Sequence, residues 1–213
     1  MSRISRDALG DLVYDQIVRM LLNHDLEPGE KILKKNLADV IGVSQTPINE
    51  AVSRLISEGI IEQKGRSGLF IRIFTNKDMM ELFAVRAGLE GTALHLCMEE
   101  PENPRFKRVL NLFDDFSYPL PEERFLEYQK RDQEFHGEIL KISGNRVILD
   151  FIRNFEFILR CYQKGLIRSP NETLMEHKSI VEAIRSGNTE QAQQLIMSHH
   201  WKTRERLKEM PES

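Results

Sequence analysis

Hydrophobic residues near the start of the chain recur at helical spacing and are then interrupted by a tight turn. The pattern over residues 8–22 predicts one amphipathic helix. Residues 37–55 predict two short helices, the first ending at Gly42 and the second beginning after Ser44 as its N-cap, with Pro47 in its first turn. The second helix is predicted to bury Ile48, Val52, Leu55 and Ile56. This layout is typical of a helix-turn-helix that enters the DNA major groove, although an αα-corner in any helical domain has the same pattern.

Two short β patterns follow the helix pair. Residues 59–73 read as two strands around a basic loop that contains Lys64 and Arg66. A helix, a helix pair and a basic hairpin together predict a winged helix. The polar face of its second paired helix is suited to reading base edges, and its basic residues to holding phosphates. The residues predicted to contact double-stranded DNA are Lys34, Lys35, Ser44, Gln45, Thr46, Asn49, Arg54, Lys64 and Arg66.

Beyond this region the chain carries no strand pattern. Helical segments are predicted at residues 76–99, 103–116, 121–142, 145–167, 171–186 and 188–208, separated by proline and Ser-Gly-Asn boundaries. The broad apolar face of residues 145–167 makes that helix the expected centre of an antiparallel bundle. The predicted fold is therefore mainly α. A winged helix-turn-helix with a small β-hairpin wing occupies residues 1–75, and an all-α antiparallel bundle occupies residues 76–213.

Four polar residues fall on the apolar stripes of three helices in this bundle. They are Asp132, His136, His177 and His199. A single core histidine is more often a hydrogen-bonded structural residue. Four polar residues that converge from three helices instead predict a ligand set for a divalent transition metal. His200 is expected to be exposed because it lies one position round the helix, and His24 and His95 fall off the stripes.

Arg86 shares a helix row with apolar residues, so its guanidinium is placed to reach the interior and bind a carboxylate effector. The alternative is an ion pair with Glu90 one turn further along the same helix, a common surface arrangement. Arg160, on the predicted central helix, is a second candidate for contact with the effector.

Composition and charge narrow the class of protein. The chain has 213 residues and a formal net charge of −3, and residues 1–75 hold ten basic and ten acidic side chains. Any DNA contact must therefore depend on local rather than overall positive charge, and binding should be salt-sensitive. The sequence predicts no membrane span and no signal peptide, so we expect a cytoplasmic protein. Cys97 and Cys161 are far apart and lack a CxxC pattern, which favours two reduced cysteines.

The first third of the chain resembles the GntR family of bacterial transcription regulators. The resemblance is carried by LEPGEKI and LADVIGVSQTPINEAVSRLISEGII and extends from about Val13 to Ile73. Members of this family commonly carry arginine where this chain has Gln45 and Asn49. Arginine reads guanine, whereas Gln and Asn pair best with adenine, so the usual operator sequence should not be transferred.

The bundle resembles the C-terminal FCD domain of the FadR subgroup, through AVRAGLEGTALHL, DQEFHGEILKISGN and EHKSIVEAIRSGNTEQAQQLIMSHH. In metal-binding members an Asp-x-x-x-His pair and two further histidines hold the ion, and these positions correspond to the four residues selected above by periodicity. The resemblance implies a cavity that binds a small organic acid beside the metal, with zinc or nickel as the expected ion. It also implies a dimeric repressor.

Together these features predict a ligand-responsive transcription regulator that binds a pseudo-palindromic operator as a homodimer. One alternative is a metal sensor that needs no organic effector. Another is a metal-dependent enzyme fused to a DNA-binding domain, although no glutamate directly follows a ligand histidine as in an HExxH motif.

Overall fold

The computed structural model describes residues 6–152 and 167–211, and these form two compact units that divide between Phe74 and Thr75. The first unit holds three helices and three short strands. They are α1 (Arg6–Leu22), β1 (Lys31–Ile32), α2 (Lys34–Ile41), α3 (Gln45–Ser57), β2 (Ile61–Gln63) and β3 (Leu69–Ile71). Their order is that of a winged helix-turn-helix, which confirms the fold class predicted for this region.

The turn between α2 and α3 follows the prediction closely. Gly42 ends α2 with φ 77°, a left-handed conformation that costs glycine little, and its N–H donates to the carbonyl of Ala38 at 2.9 Å. Ser44 stands at the N-cap of α3 with extended backbone, but its side chain makes no capping hydrogen bond. The predicted apolar residues of α3 are buried except Ile56, which is half-buried.

The wing is an antiparallel sheet with strand order β1-β3-β2. Ile61 pairs with Ile71 and Lys31 pairs with Phe70. A short 3-10 turn at Gly65–Ser67 connects the two predicted strands. The third strand, β1, was not predicted, because two residues are too few to show the alternation that marks a strand.

The second unit is helical throughout its described residues. Its helices are α4 (Asn76–Glu99), α5 (Pro104–Val109), α6 (Phe125–Ile142), α7 (described over residues 146–152), α8 (Pro170–Arg185) and α9 (Thr189–Glu209). This confirms the predicted all-α class. The segment predicted at 103–116 is shorter, because turns replace helix after Val109 and carry Phe113 and Phe116 into the core.

Local signals set where these helices begin and end. Thr75 and Asp78 form a capping box at the start of α4, in which the N–H of Asp78 donates to the Thr75 hydroxyl and the N–H of Thr75 to the Asp78 carboxylate. Ser169 and Asn188 accept backbone hydrogen bonds at the starts of α8 and α9. Gly187, with φ 72°, follows the end of α8.

Helices α4 and α9 pack closely along each other at a glycine. A Cβ atom on Gly91 would lie 2.8 Å from Cγ of Met197, so only glycine lets α9 approach α4 to this distance without displacing that side chain. This contact holds α4 near Glu90 against the middle of α9, where His199 and His200 lie.

Most of the segment predicted at 145–167 lies outside the described residues, including Arg160 and Cys161. Cys97 is a free, buried thiol, and burial raises its pKa to about 12. No helix in the described parts of the chain is long and apolar enough to cross a membrane.

Candidate metal centre and nucleic-acid face

The structure brings together the four residues that periodicity selected in the bundle. Helix α6 supplies two of them one turn apart, α8 supplies one and α9 supplies one. The donor atoms of Asp132, His136, His177 and His199 all lie within 4.8 Å of one another. The three histidines are buried, whereas the Asp132 side chain is 19% exposed. One carboxylate and three imidazoles in this arrangement match the donors preferred by zinc and similar ions.

A carboxylate holds the Nδ1 atom of two of these histidines. Nδ1 of His136 lies 2.5 Å from Oε2 of Glu90, and Nδ1 of His199 lies 2.8 Å from Oε2 of Glu176. Because an ionised carboxylate accepts hydrogen bonds only, each Nδ1 must carry the proton. A neutral ring then has its lone pair on Nε2, the nitrogen that faces the centre of the cluster.

A chain of hydroxyl groups holds the third histidine. Nδ1 of His177 lies 2.8 Å from the Tyr128 hydroxyl, which in turn donates to the Thr173 hydroxyl at 2.8 Å. Thr173 passes the chain on by donating to the carbonyl of Ser169 at 3.3 Å. The Tyr128 hydroxyl has one proton and donates it to Thr173, so its oxygen accepts a hydrogen bond from Nδ1–H of His177. Nε2 of His177 therefore also presents a lone pair.

With all three rings neutral, the three Nε2 atoms and the Asp132 carboxylate are all hydrogen-bond acceptors, and none of them carries a proton. Nε2 of His177 lies 3.1 Å from Nε2 of His136 and 3.5 Å from Oδ1 of Asp132. Burial is the largest cause that holds the pKa of His177 well below its usual value, and the nearby His199 and His136 lower it further. Burial likewise lowers the pKa of His199, although Glu176 opposes the shift. Lone pairs this close repel one another unless a cation lies between them, so the residues present fit a metal ion.

Glu90 is the buried partner behind His136. It accepts from Nε of Arg86 through Oε1 and from His136 through Oε2. Burial alone would raise the pKa of Glu90, but Arg86 and the neighbouring His136 and His200 hold it well below its usual range. The Arg86–Glu90 ion pair is the arrangement that the sequence offered as an alternative to a carboxylate-binding role for Arg86. It is not a surface pair, because Glu90 is 0% exposed and belongs to the shell around the cluster.

His200 is buried, and the expectation that it would be exposed was wrong. Its ring is 0% exposed and its centroid lies 5.0 Å from that of His136 and 5.1 Å from that of His199. Helix α9 is covered over a wide arc that includes Ile196 and Thr203, so a residue about 100° round from His199 is still inside.

Glu176 is fixed by a network of basic groups. Arg168 donates to both of its oxygens at 2.7 Å, and Lys202 donates to Oε1 at 2.8 Å. Burial opposes ionisation, but Arg168, His199 and Lys202 hold the pKa of Glu176 far below its usual range. The carboxylate is therefore charged and rigid, as a group that orients a metal ligand needs to be.

Sequence reasoning missed Glu90, Glu176 and Tyr128 as supporting groups. Glu90 had a readable signal, because the buried positions Phe83, Ala87, Glu90, Leu94 and Cys97 alternate at spacings of four and three along α4. Tyr128 lies on the inner stripe of α6, where a buried aromatic ring is expected whether or not its hydroxyl has a role. Glu176 lies on α8 and is half-buried at the edge of that helix's apolar stripe, a position for which helical periodicity predicts neither burial nor exposure.

On the first unit, the polar face of α3 is open. Gln45, Thr46 and Asn49 are exposed, as is Ser44 at the start of the helix. Other predicted contacts lie at the start of α2 and in the wing, where Lys35 and Arg66 are exposed, Lys34 is half-buried and Lys64 pairs with Glu62 at 2.8 Å.

Arg54 differs from the other predicted DNA contacts because its side chain is already engaged within the unit. Its guanidinium lies 3.7 Å from the ring centroid of Tyr14, and it pairs with Glu58 at 3.0 Å and with Asp11 at 3.3 Å. Tyr14 donates to the same Glu58 at 2.7 Å. These contacts tie α3 to α1, and DNA would have to replace them to recruit Arg54.

Comparison with known proteins settles the class of this two-unit chain. Residues 81–201, more than half of the sequence, match the FCD domain family, and residues 9–71 match the bacterial regulatory proteins of the gntR family. The chain belongs to the GntR family. As a GntR-family protein with an FCD domain, it is a DNA-binding transcription regulator and not an enzyme.

Relatives of this GntR-family regulator align over most of their length. It is 27% identical over 203 residues to the HTH-type transcriptional regulator YdhC of Bacillus subtilis (strain 168), covering 93% of this chain and 91% of YdhC. It is 25% identical over 183 residues to the Nta operon transcriptional regulator of Aminobacter aminovorans, covering 84% and 85% of the two chains. A crystal structure described as a GntR transcriptional regulator from Rhodococcus sp. RHA1 superposes with a TM-score of 0.69 at 18% identity, covering 95% of this chain and 98% of that one. The structural likeness supports the fold.

Proposed function

We propose that this GntR-family regulator holds one divalent transition metal ion in its FCD domain and responds to a small carboxylate that binds beside the ion. The ligands in this proposal are Asp132, His136, His177 and His199. An ion bound there supplies a positive charge that attracts an anionic effector. The protein's own residues orient the imidazoles and exclude water from three of the four ligands.

The observation that carries the metal is the direction of the three imidazole lone pairs. Each Nδ1 is occupied by a partner outside the cluster, so each Nε2 turns inward without a proton. The closest pair of Nε2 atoms is 3.1 Å apart. With the three rings neutral, hydrogen bonding among the described side chains does not relieve this repulsion, whereas a cation relieves it directly.

Arg86 and Asp132 support an anionic effector. The Arg86 side chain is 17% exposed, and within the described residues its terminal nitrogens make no hydrogen bond while Nε is bound to Glu90. Those two nitrogens can fork onto a carboxylate. Asp132 marks the more open side of the cluster, where an added ligand of the ion would enter. Arg160 remains a second proposed contact, outside the described residues.

In the DNA-binding half, we propose that Gln45, Thr46 and Asn49 read base edges in the major groove. Lys34, Lys35, Lys64 and Arg66 then contact the phosphate backbone. The exposed amides of Gln45 and Asn49 are suited to adenine. One such helix makes few contacts with DNA, so we propose that the protein binds a pseudo-palindromic operator as a homodimer and acts as a repressor. In this proposal residues 1–75 form the DNA-binding domain, and residues 76–213 form the effector and dimerisation domain.

Metal analysis of the purified protein tests the central assignment. We expect about one transition ion per chain in the parent and much less in His177→Ala and His199→Ala, because each loses one ligand. His95→Ala is the matched control, since His95 is an exposed histidine on α4. Unchanged metal content in both ligand variants would remove the proposed centre.

A metal sensor that needs no organic effector is a second candidate. The observation in its favour is that Arg86 already has a carboxylate partner in Glu90. Operator binding measured against zinc concentration, with and without a panel of organic acids, separates the two functions. A response to metal alone that no acid alters would favour the metal sensor.

A further inference from the structure

Strand β1 brings to the wing a lysine that is absent from the DNA contacts assigned above. Lys31 pairs with Phe70 across the sheet, and Phe70 pairs on its other side with Glu62. Residues directly opposite one another in antiparallel strands project from the same face of a sheet. Lys31, Phe70 and Glu62 therefore share the outward face of the wing, while Ile32 and Ile71 are buried on its inner face.

The Lys31 side chain runs along this outward face toward the loop of the wing. A Cβ atom on Gly68 would lie 3.1 Å from Cε of Lys31 and 3.8 Å from its Nζ. Gly68 also closes the loop, because its carbonyl accepts from the N–H of Lys64 at 3.0 Å. The Nζ atoms of Lys31 and Lys64 lie 5.9 Å and 5.4 Å from the ring centroid of Phe70. Two ammonium groups that come from opposite edges of the sheet are thus held beside one aromatic ring.

The charge of Lys31 is not neutralised within the described part of the chain. The residue is exposed, and its ammonium group forms no ion pair there. Acidic groups close to it in sequence or on the sheet have other partners. Glu62 pairs with Lys64 at 2.8 Å, and the Glu30 carboxylate accepts from the N–H of Glu27 at 2.9 Å. An exposed cation without an internal partner is available to displace a counterion from a DNA phosphate.

We propose that Lys31 binds a phosphate group of double-stranded DNA, as part of a basic wing surface formed by Lys31, Lys64 and Arg66. A lysine contact to phosphate carries no sequence information, so Lys31 contributes to the affinity for any duplex and to its salt dependence. This inference rests on the proposed function, because it assumes that the wing lies against the DNA backbone. It adds to that function a contact from a strand that precedes the helix-turn-helix in the chain.

Fluorescence anisotropy with the full chain and two labelled duplexes tests this contact. One duplex carries the site that the parent selects from random DNA, and the other carries a scrambled version of that site. For Lys31→Met we expect the slope of log K against log[KCl] to flatten by about 0.9 for each bound subunit. Affinity for both duplexes should fall by about fivefold per subunit near 0.15 M KCl, as that slope implies. Methionine keeps most of the apolar stem of lysine, so the substitution removes the charge and little of the packing.

Matched variants separate a local contact from an effect of total charge. Lys31→Arg keeps the charge and should bind both duplexes like the parent. Lys130→Met removes an exposed lysine on α6 of the second unit and should change neither affinity nor slope. Lys64→Met removes a wing cation already assigned to the backbone and should also weaken binding to both duplexes. Lys31→Gln replaces the methionine variant if that variant does not fold.

The outcomes separate this inference from the proposed function. If Lys64→Met weakens binding while Lys31→Met keeps the affinity and slope of the parent, the wing contacts DNA without Lys31 and this inference alone fails. A loss confined to the selected duplex would also overturn it, because a phosphate contact affects all sequences alike. So would an equal loss in Lys130→Met, which would point to total charge. If neither wing variant changes binding, the proposed position of the wing on the backbone fails together with this inference.

Discussion

At the scale of single residues, the cluster depends on groups that never touch its centre. Glu90 and Glu176 place the proton on Nδ1 of their histidines, and Tyr128 does the same through a chain of hydroxyl groups. Burial raises the pKa of Tyr128, so its hydroxyl stays protonated and keeps donating to Thr173. Fixing the tautomer in this way prepares the imidazoles before any ion arrives.

Tyr128→Phe removes one oxygen and tests that preparation. Without the phenol, Nδ1 of His177 loses its acceptor and the ring is free to carry its proton on Nε2. We expect zinc affinity to fall about tenfold, within the range typical of supporting groups around a metal. Competition with a chromogenic chelator measures it. Tyr118→Phe is the control, since Tyr118 is 63% exposed. Equal affinities in parent and Tyr128→Phe would show that the hydroxyl chain does not set the tautomer.

The sequence could predict the inward-facing residues but not their partners. Helical period places Asp132 and His136 on the same stripe whatever surrounds them. Glu90 and His136 are 46 residues apart in the chain and lie on different helices, and no local pattern encodes which buried groups will meet. His200 was predicted to be exposed because helical periodicity gives the direction in which a side chain points, but not how much of the circumference of α9 is covered by other helices.

At the scale of elements, helix α3 combines a buried apolar side with an exposed polar one. Ile48, Val52 and Leu55 are 0% exposed, while Gln45 and Asn49 face outward. The sequence predicted this helix well, because its cap residue, first-turn proline and apolar spacing agree. It predicted α5 too long and missed β1, where the structure depends on contacts between distant residues rather than on local preference.

Gln45→Arg with Asn49→Arg should change what α3 reads. We expect selection from random DNA to return A·T pairs at these contacts for the parent and G·C pairs for the double variant, with tighter binding overall. Gln133→Arg with Gln194→Arg adds the same charge on exposed positions of the other unit and should leave the selected sequence unchanged. Guanine at the contacts of the parent would contradict the adenine assignment.

At the scale of the whole molecule, the metal-free protein should lose stability as the pH falls. The pKa values of His177 and His200 lie well below the usual value of 6.5 in the folded state. The unfolded chain therefore takes up protons below pH 6.5 that the folded chain does not. The stability that these two neutral rings contribute is present above that pH and is lost progressively below it. Glu90 and Glu176, with lowered pKa values, add a further loss below about pH 4.5.

Urea unfolding with a chelator at pH 7.5 and 5.5 measures this loss. Trp201, the single tryptophan, lies on α9 and reports on the second unit. We expect the free energy of unfolding to fall by about 1.4 kcal/mol for each of the two histidines over this range. His200→Gln should reduce the loss, and His95→Gln should not. Stability that rises on acidification would contradict the buried, neutral state of these rings.

The spacing of the proposed ligands along the chain would give a bound ion one more role. From His136 to His177 is 41 residues, and His199 follows 22 later, so an ion bound to all three closes two long loops. Closing loops of this size restricts the unfolded chain much as a disulfide does, by about 3–4 kcal/mol each on the chain-entropy estimate. Unlike a disulfide, this cross-link is set by the free concentration of the metal. The resistance of the bundle to proteolysis would then track the supply of metal in the cell.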